Sequence, residues 1–286
     1  MSNCIEAIVI KAYNSFYYVK AQDMEELLTC KLRGKFKQQR FSLLVGDKVL
    51  VSPKGQGEAT IEQILPRSNA LTRPAVANVE QIILVLAIKT PDYSYMLIDR
   101  LLALYERVKV GITICFNKCE LASEGELEQL RKLYKPIGYE VIFTSTKQQL
   151  GIESLKRRLQ NKVSVFAGPS GVGKSSLLNE LQPGLALNIG AVSDKIGRGK
   201  HTTRYSQLMP LDIGGYIADT PGFSSVEAEF LKEDNLNELF KDIQKYSREC
   251  RFSSCKHDKE PQCAVKQAVE VGELSLSRYD NYLSLI

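Results

Sequence analysis

No apolar run in this sequence is long enough to cross a membrane: the longest, Ile82–Ile88, falls far short of the ~20 residues a spanning helix needs. The opening stretch Met1–Ile10 lacks a charged region followed by a long apolar core, so no signal peptide is expected. A strong charge bias is also missing. The net charge of +5 permits an anionic partner without demanding one. Histidine is scarce, with two in the chain, His201 and His257. Cysteine is not: seven, without a secretion signal, point to reduced thiols in a cytoplasmic protein, some of them bound to metal. At 286 residues the chain has room for about two to three domains with a substantial core.

What the chain does contain is centred on Val163–Leu178. Val163, Val165 and Phe166 read as a buried strand, and Leu177, Leu178 and Leu181 recur at helical spacing. Between them Gly168-Pro-Ser-Gly-Val-Gly173-Lys174-Ser175 has the G-x-x-x-x-G-K-[ST] form of a phosphate loop in its strand–turn–helix context. Gly168 and Gly173 let the backbone approach phosphate oxygens. The amides of Ser170, Gly171, Val172, Gly173, Lys174, Ser175 and Ser176 lie at the predicted helix start, where donors and partial positive charge face an anion. Lys174 can reach the β- and γ-phosphates, and the Ser175 hydroxyl can ligate Mg²⁺.

Taken in order, residues 1–72 read as a separate all-β module of five short strands, fitting a small OB-like barrel. Residues 1–73 hold eleven Lys/Arg against seven Asp/Glu, with five of the positive charges around Phe36 between Lys31 and Arg40. Such a module can contact RNA, or the charge run can be a solvated hairpin loop. Residues 73–225 alternate strand and helix patterns: strands at Glu80–Ile88, Gly111–Phe116 and Val141–Phe143, and helices carrying Leu97–Val108, Leu127–Leu133 and Ile152–Leu159. That alternation predicts an α/β domain, a mostly parallel sheet with helices on both faces.

Two of those strands end in nucleotide-type chemistry. Asn117-Lys118-Cys119-Glu120 has the form of the N-K-x-D motif that reads guanine, and Ser145-Thr146-Lys147 that of the S-A-K loop. The carboxylate that should accept from guanine N1 and N2 is here Glu120, whose extra methylene moves its oxygens by about 1.5 Å. All three motifs fall at predicted carboxyl ends of strands, where ligands of open α/β sheets bind. After the phosphate loop, Asn188–Arg204 reads as a long switch segment. Thr203, with Thr202 as the alternative, is the expected second hydroxyl ligand of Mg²⁺. Asp219-Thr220-Pro221-Gly222 gives the D-x-x-G pattern: Asp219 holds Mg²⁺ through water and the Gly222 amide senses the γ-phosphate. The motif set is complete but circularly permuted, because Asn117 and Ser145 precede Gly168.

Many GTPases place Gln after the D-x-x-G glycine to orient the attacking water. Phe223 stands there and can do no such thing, so low intrinsic turnover is expected. His201, two residues before Thr203, is the candidate catalytic group, swung toward the water when a partner orders the loop; a plain exposed loop histidine is the alternative. Residues 226–286 read as a helical zinc-binding domain. Cys250, Cys255, His257 and Cys263 form a compact set of four ligands for one Zn²⁺, against the alternative of buried free thiols. Helical patterns flank it at Leu236, Leu239, Phe240, Ile243 and Tyr246, and at Leu276, Tyr279, Leu283 and Ile286. On residues alone a kinase, or an RNA-binding protein keeping nucleotide as a structural ligand, also stays open.

The basic OB-like module, the permuted motif order, GPSGVGKSS, RGKHTTR, DTPGF and the Cys-Cys-His-Cys cluster together resemble the RsgA (YjeQ/YloQ) family of circularly permuted bacterial GTPases. The resemblance covers nearly the whole chain. It implies a monomeric Mg²⁺-dependent enzyme converting GTP to GDP, with slow intrinsic hydrolysis stimulated by the small ribosomal subunit. It also implies a role in late maturation of that subunit, bound with its rRNA through the N- and C-terminal modules. Glu120 in place of Asp is the departure from the family pattern.

Overall fold

The computed structural model describes residues 4–13, 16–21, 24, 26–32, 43–72, 75–184, 207–218 and 235–286. Strands β1 (Ile5–Tyr13), β2 (Phe16–Ala21), β3 (Leu28–Leu32), β4 (Lys48–Gly55) and β5 (Glu58–Ile64) close a barrel in the order β1-β2-β3-β5-β4. Every pairing is antiparallel except β3 with β5, which is parallel. Period-two alternation explains the closure: Val9, Val19, Cys30, Val49, Val51 and Ile61 point inward and are fully buried. The turn into β4 needs glycine at Gly46, where φ is +89° and a Cβ would lie 2.1 Å from the Ala77 carbonyl oxygen. Beside it the buried Asp47 carboxylate takes a two-pronged ion pair from Arg67 at 2.6 and 2.7 Å.

A short ribbon, β6 (Ala70–Thr72) with β7 (Ala75–Ala77), precedes the α/β region. That region runs β8 (Gln81–Ala87), α1 (Tyr95–Glu106), β9 (Gly111–Asn117), α2 (Glu124–Tyr134), β10 (Glu140–Thr144), α3 (Ile152–Leu159), β11 (Val163–Ala167), α4 (Lys174–Leu181), β12 (Leu208–Pro210) and β13 (Tyr216–Ala218). The sheet order is β10-β9-β8-β11-β13-β12. β9 and β10 are parallel, as are β11 and β13, while β12 pairs antiparallel to β13. All residues of β8 and β11 are buried, as expected for central strands covered on both faces. The chain steps outward from β8 to β10 and returns at β11, so the strand order reverses beside β8. Ligands of such sheets sit at that switch point, and the residues after β11 are the phosphate-loop sequence. Ser94 and Ser123 start α1 and α2 by accepting from the Leu97 and Glu126 amides.

The C-terminal segment forms α5 (Leu236–Leu239), α6 (Lys241–Ser247), α7 (Ala264–Glu270) and α8 (Leu276–Leu283) around Phe240, Ile243, Val265, Ala268 and Tyr282. Two details differ from the periodicity. The apolar pattern from Leu236 to Tyr246 is broken at Phe240, which is extended (φ −110°, ψ 96°). Its ring turns inward against Tyr282, 5.4 Å centroid to centroid, and under the Arg278 guanidinium. In the last helix Leu276 is 61% exposed, as is Ile286 just beyond it at 53%, whereas Arg278 and Tyr282 are buried. The reason is electrostatic. Arg278 pairs with Asp99 at 2.5 Å and with Asp242 at 2.7 Å, and that network sets the buried face of α8.

By compactness the chain divides into two units, one of Met1–Gln81, Leu155–Phe166 and Ser175–Phe223, the other of Ile82–Ser154, Ala167–Lys174 and Ser224–Ile286. The guanine-type motifs, the loop up to Lys174 and the Cys/His cluster all belong to the second.

Candidate nucleotide site and metal centre

The ends of β9 and β10 and the loop after β11 meet through side chains. Asn117, the last residue of β9, is 1% exposed. Its Nδ2 donates to the Val172 carbonyl at 2.9 Å, and its Oδ1 accepts from the Thr144 hydroxyl at 3.2 Å. Thr144 in turn lies 3.4 Å from the Cys115 thiol. The single Thr144 hydroxyl proton goes to Asn117, so the Cys115 thiol is the donor of the pair. The result is a one-way chain: Cys115 to Thr144, Thr144 to Asn117, Asn117 to the phosphate-loop backbone. Asn117 thus uses one N–H and one lone pair to align the loop and keeps one of each for a ligand.

Lys118 adopts the left-handed conformation at φ 59°, which turns its side chain back over the loop. Its ammonium donates to the Gly171 carbonyl at 3.0 Å and to the Thr90 carbonyl. Glu120 sits in a short 3₁₀ turn, Cys119–Leu121, and its Oε2 is buried with no hydrogen-bond partner among the described residues. A buried acceptor left this way is costly unless a ligand donor meets it, which is what guanine N1 and N2 offer. Ser145 is buried, and its Oγ caps the turn by accepting from the Gln148 amide at 3.0 Å; Thr146 follows, half-buried, in the same turn.

The phosphate loop depends on its glycines. A Cβ at Gly168 (φ +132°) would lie 2.0 Å from the Val85 carbonyl oxygen, and one at Gly173 (φ +93°) 2.3 Å from Asn117 Nδ2. Lys174 folds over the loop, donating to the Gly168 and Pro169 carbonyls at 2.7 and 2.5 Å. Burial lowers its ammonium from the ordinary lysine value, and phosphate oxygens would favour the charged form. Ser170 and Gly171 are exposed at the loop tip. Ser175 and Ser176 are exposed in the first turn of α4, a placement that fits a hydroxyl ligand to Mg²⁺. His201, Thr202, Thr203, Asp219, Gly222 and Phe223 lie outside the described residues.

The second constellation is Cys250, Cys255, His257 and Cys263, whose ligand atoms all lie within 4.8 Å of one another. Cys250 Sγ is 3.8 Å from Cys263 Sγ, and His257 Nδ1 is 3.5 and 3.3 Å from those two sulfurs. Tetrahedral zinc with ordinary Zn–S and Zn–N bonds sets S···S near ~3.8 Å and S···N near ~3.6 Å, so the cluster fits one such ion. Burial pushes the Cys255 thiol up to about 12, raises Cys263 and lowers the His257 imidazole. A cation would stabilise the thiolates and use the neutral imidazole. Tyr279 fixes the ligand loop by donating to the His257 carbonyl at 2.6 Å.

Sequence reasoning missed Thr144, the Lys118 contact to Gly171, and the Asp99–Arg278 pair, which joins α1 to α8. Tyr134 and Asn281 also donate to Asp99, at 3.2 and 2.6 Å. No local pattern marks such partners, which lie as many as 182 residues apart.

A family model described as RsgA GTPase matches residues 64–229, and one described as RsgA N-terminal domain matches residues 6–61. A Clostridium perfringens protein named small ribosomal subunit biogenesis GTPase RsgA is 44% identical over 282 residues, covering 99% of this chain and 97% of the relative. A Moorella thermoacetica protein of the same name is also 44% identical, with 99% and 96% covered. Among solved structures, YjeQ from Thermotoga maritima superposes with a TM-score of 0.84 at 39% identity, covering 99% of this chain and 97% of that one. YloQ, described as a circularly permuted GTPase, gives 0.83 at 36%, covering 99% and 93%.

Proposed function

The chain belongs to the RsgA GTPase family, whose members hydrolyse GTP, and from that premise we propose that it acts in late maturation of the small ribosomal subunit, which stimulates its hydrolysis. The observation that carries this reading is the end-to-end match at 44% identity to a relative named for small-subunit biogenesis. GTP and GDP are held by the loop Gly168–Ser176, with the base over Asn117, Lys118, Glu120, Ser145 and Thr146. Support comes from the loop geometry and from the unpaired Glu120 oxygen. Bound Mg²⁺ would supply positive charge to offset that of the phosphates. Ser175 and Thr203, with Thr202 as the alternative, would hold it, together with Asp219 through water, and Gly222 would sense the γ-phosphate. His201 is the group that aligns water for hydrolysis, since Phe223 has neither donor nor acceptor. One zinc bound by Cys250, Cys255, His257 and Cys263 holds the C-terminal helices together.

The division of labour follows the sequence: residues 1–72 contact rRNA, 73–225 hydrolyse GTP, and 226–286 form the zinc domain. The protein works as a cytoplasmic monomer, and no described helix is long and apolar enough to cross a membrane. The test is co-sedimentation of the purified chain with small ribosomal subunits in GDP and in a non-hydrolysable GTP analogue, beside GTP turnover with and without subunits. Tighter binding with the analogue and faster turnover with subunits are expected. Turnover unaffected by subunits, with no co-sedimentation in either nucleotide, overturns the proposal.

A further inference from the structure

The loop between β8 and α1, residues 88–94, contains none of the nucleotide motifs, yet it touches two of them. The Lys118 ammonium donates to the Thr90 carbonyl as well as to that of Gly171 in the phosphate loop. Pro91 lies beside Gly171 too, since a Cβ there would stand 3.6 Å from Pro91 Cδ. The two carbonyls that hold Lys118 therefore come from two separate loops, and Lys118 is fixed only if both loops are. Asn117 holds the phosphate loop through Val172. The Thr90 loop is held by side chains that belong to no nucleotide motif.

Both ends of that loop are anchored. β8 is buried throughout, and α1 is pinned through Asp99, which accepts from Arg278, Asn281 and Tyr134. Between these ends Tyr93 sets its ring edge-on to Phe116, 6.1 Å between centroids, and its hydroxyl donates to Glu126 of α2 at 3.3 Å. Lys89 stands 3.8 Å from the same Glu126 oxygen and 3.7 Å from Asp92, whose carboxylate accepts from the Thr90 amide at 3.4 Å. Glu126 is fixed in turn, because its own amide donates to Ser123 Oγ at the start of α2. One carboxylate thus gathers the residues on either side of Thr90. A free lysine side chain carries about 2 kcal/mol of rotamer entropy; an ammonium already tethered at two carbonyls has lost much of that freedom before a ligand arrives. We infer that Tyr93 and Glu126 are positioning residues for base recognition: they hold the Thr90 carbonyl where it fixes the Lys118 ammonium, and so keep the Lys118 stem aligned for the guanine ring. The inference rests on the guanine-site reading above and adds the residues that prepare that site.

The experiment is a double-mutant cycle on the full chain, read as GDP affinity, with inorganic tripolyphosphate as a second ligand that has no base. Tyr93→Phe keeps the ring on Phe116 and removes only the bond to Glu126. It should weaken GDP binding about 2- to 12-fold, the range for loss of one hydrogen bond, and leave tripolyphosphate binding unchanged. Glu126→Ala should weaken GDP binding at least as much, and the two changes together no more than Glu126→Ala alone. In a Lys118→Ala background Tyr93→Phe should have no further effect, because the side chain it acts through is gone. A hydroxyl that only stabilises the fold would instead weaken GDP and tripolyphosphate alike, with or without Lys118. Tyr93→Phe that binds GDP like wild type overturns the inference. So does a loss that keeps its full size in the Lys118→Ala background, or one shared equally by tripolyphosphate. Those three outcomes leave the guanine site standing. GDP bound equally by Lys118→Ala and wild type removes the guanine-site reading, and this inference with it.

Discussion

The Asn117 side-chain amide donates to the Val172 carbonyl at 2.9 Å, joining the end of β9 to the phosphate loop across 55 residues of sequence. Thr144 orients that amide, and the buried Cys115 thiol orients Thr144. Thr144→Val removes the donor to Asn117 Oδ1 while keeping the shape. The expected loss is about 1–3 kcal/mol, read as weaker GDP binding by titration calorimetry, with Thr144→Ser restoring most of it. GDP affinity unchanged in Thr144→Val would show that the loop is aligned without this chain of bonds.

Gly168 and Gly184 separate close approach from backbone strain. Both have positive φ, +132° and +82°, but a Cβ at Gly168 meets the Val85 carbonyl at 2.0 Å and one at Gly184 meets nothing within 4 Å. Gly184→Ala should cost about 1–2 kcal/mol in urea unfolding and leave nucleotide binding intact. Gly168→Ala should cost more, because strand β8 must shift, and should abolish GDP binding. Equal behaviour of the two variants contradicts the packing account.

Glu120, the proposed carboxylate for guanine, carries one methylene more than the usual Asp. Glu120→Ala should reduce GDP affinity by about 1–3 kcal/mol, since the base donors would then face no acceptor. ADP affinity should be low in both proteins. Wild-type protein that binds ADP as tightly as GDP ends the assignment.

The cluster of Cys250, Cys255, His257 and Cys263 should carry one zinc per chain by elemental analysis. Strong chelation should melt the helices packed on it, because Cys255 and Cys263 are part of the same core as Phe240, Ile243 and Tyr282. Circular dichroism should report partial helix loss while GDP binding survives. Zinc retained after all four ligands are changed to Ser or Ala contradicts the site.

His201 is the histidine outside the Cys/His cluster, and the Phe223 side chain has no hydrogen-bonding atom with which to orient water. His201→Ala should leave GTP affinity unchanged and lower subunit-stimulated turnover by roughly 10²–10⁴-fold, the usual contribution of a positioned acid–base group. Stimulated turnover equal to wild type removes His201 from the reaction.

The sequence by itself determined the order and kind of the elements around the nucleotide site. Alternation in Val9–Val19, the unbroken apolar run of β8 and the Gly168–Ser175 pattern are local signals, and local sterics and burial decide them. The spacing of Cys250, Cys255, His257 and Cys263 was equally legible, because four ligand side chains crowded into fourteen residues have few other uses. Only the tertiary structure decided what Asn117 does with its amide, why α8 buries Arg278 while exposing Leu276, and where the apolar pattern breaks at Phe240. Each of those depends on a partner remote in sequence: Val172 for Asn117, Asp99 for Arg278, Tyr282 for Phe240. Hydrophobic periodicity records whether a side chain prefers water or the interior. It carries no record of which distant charge or carbonyl will meet that side chain there, and those meetings set the last rotation of a helix and the direction of an amide.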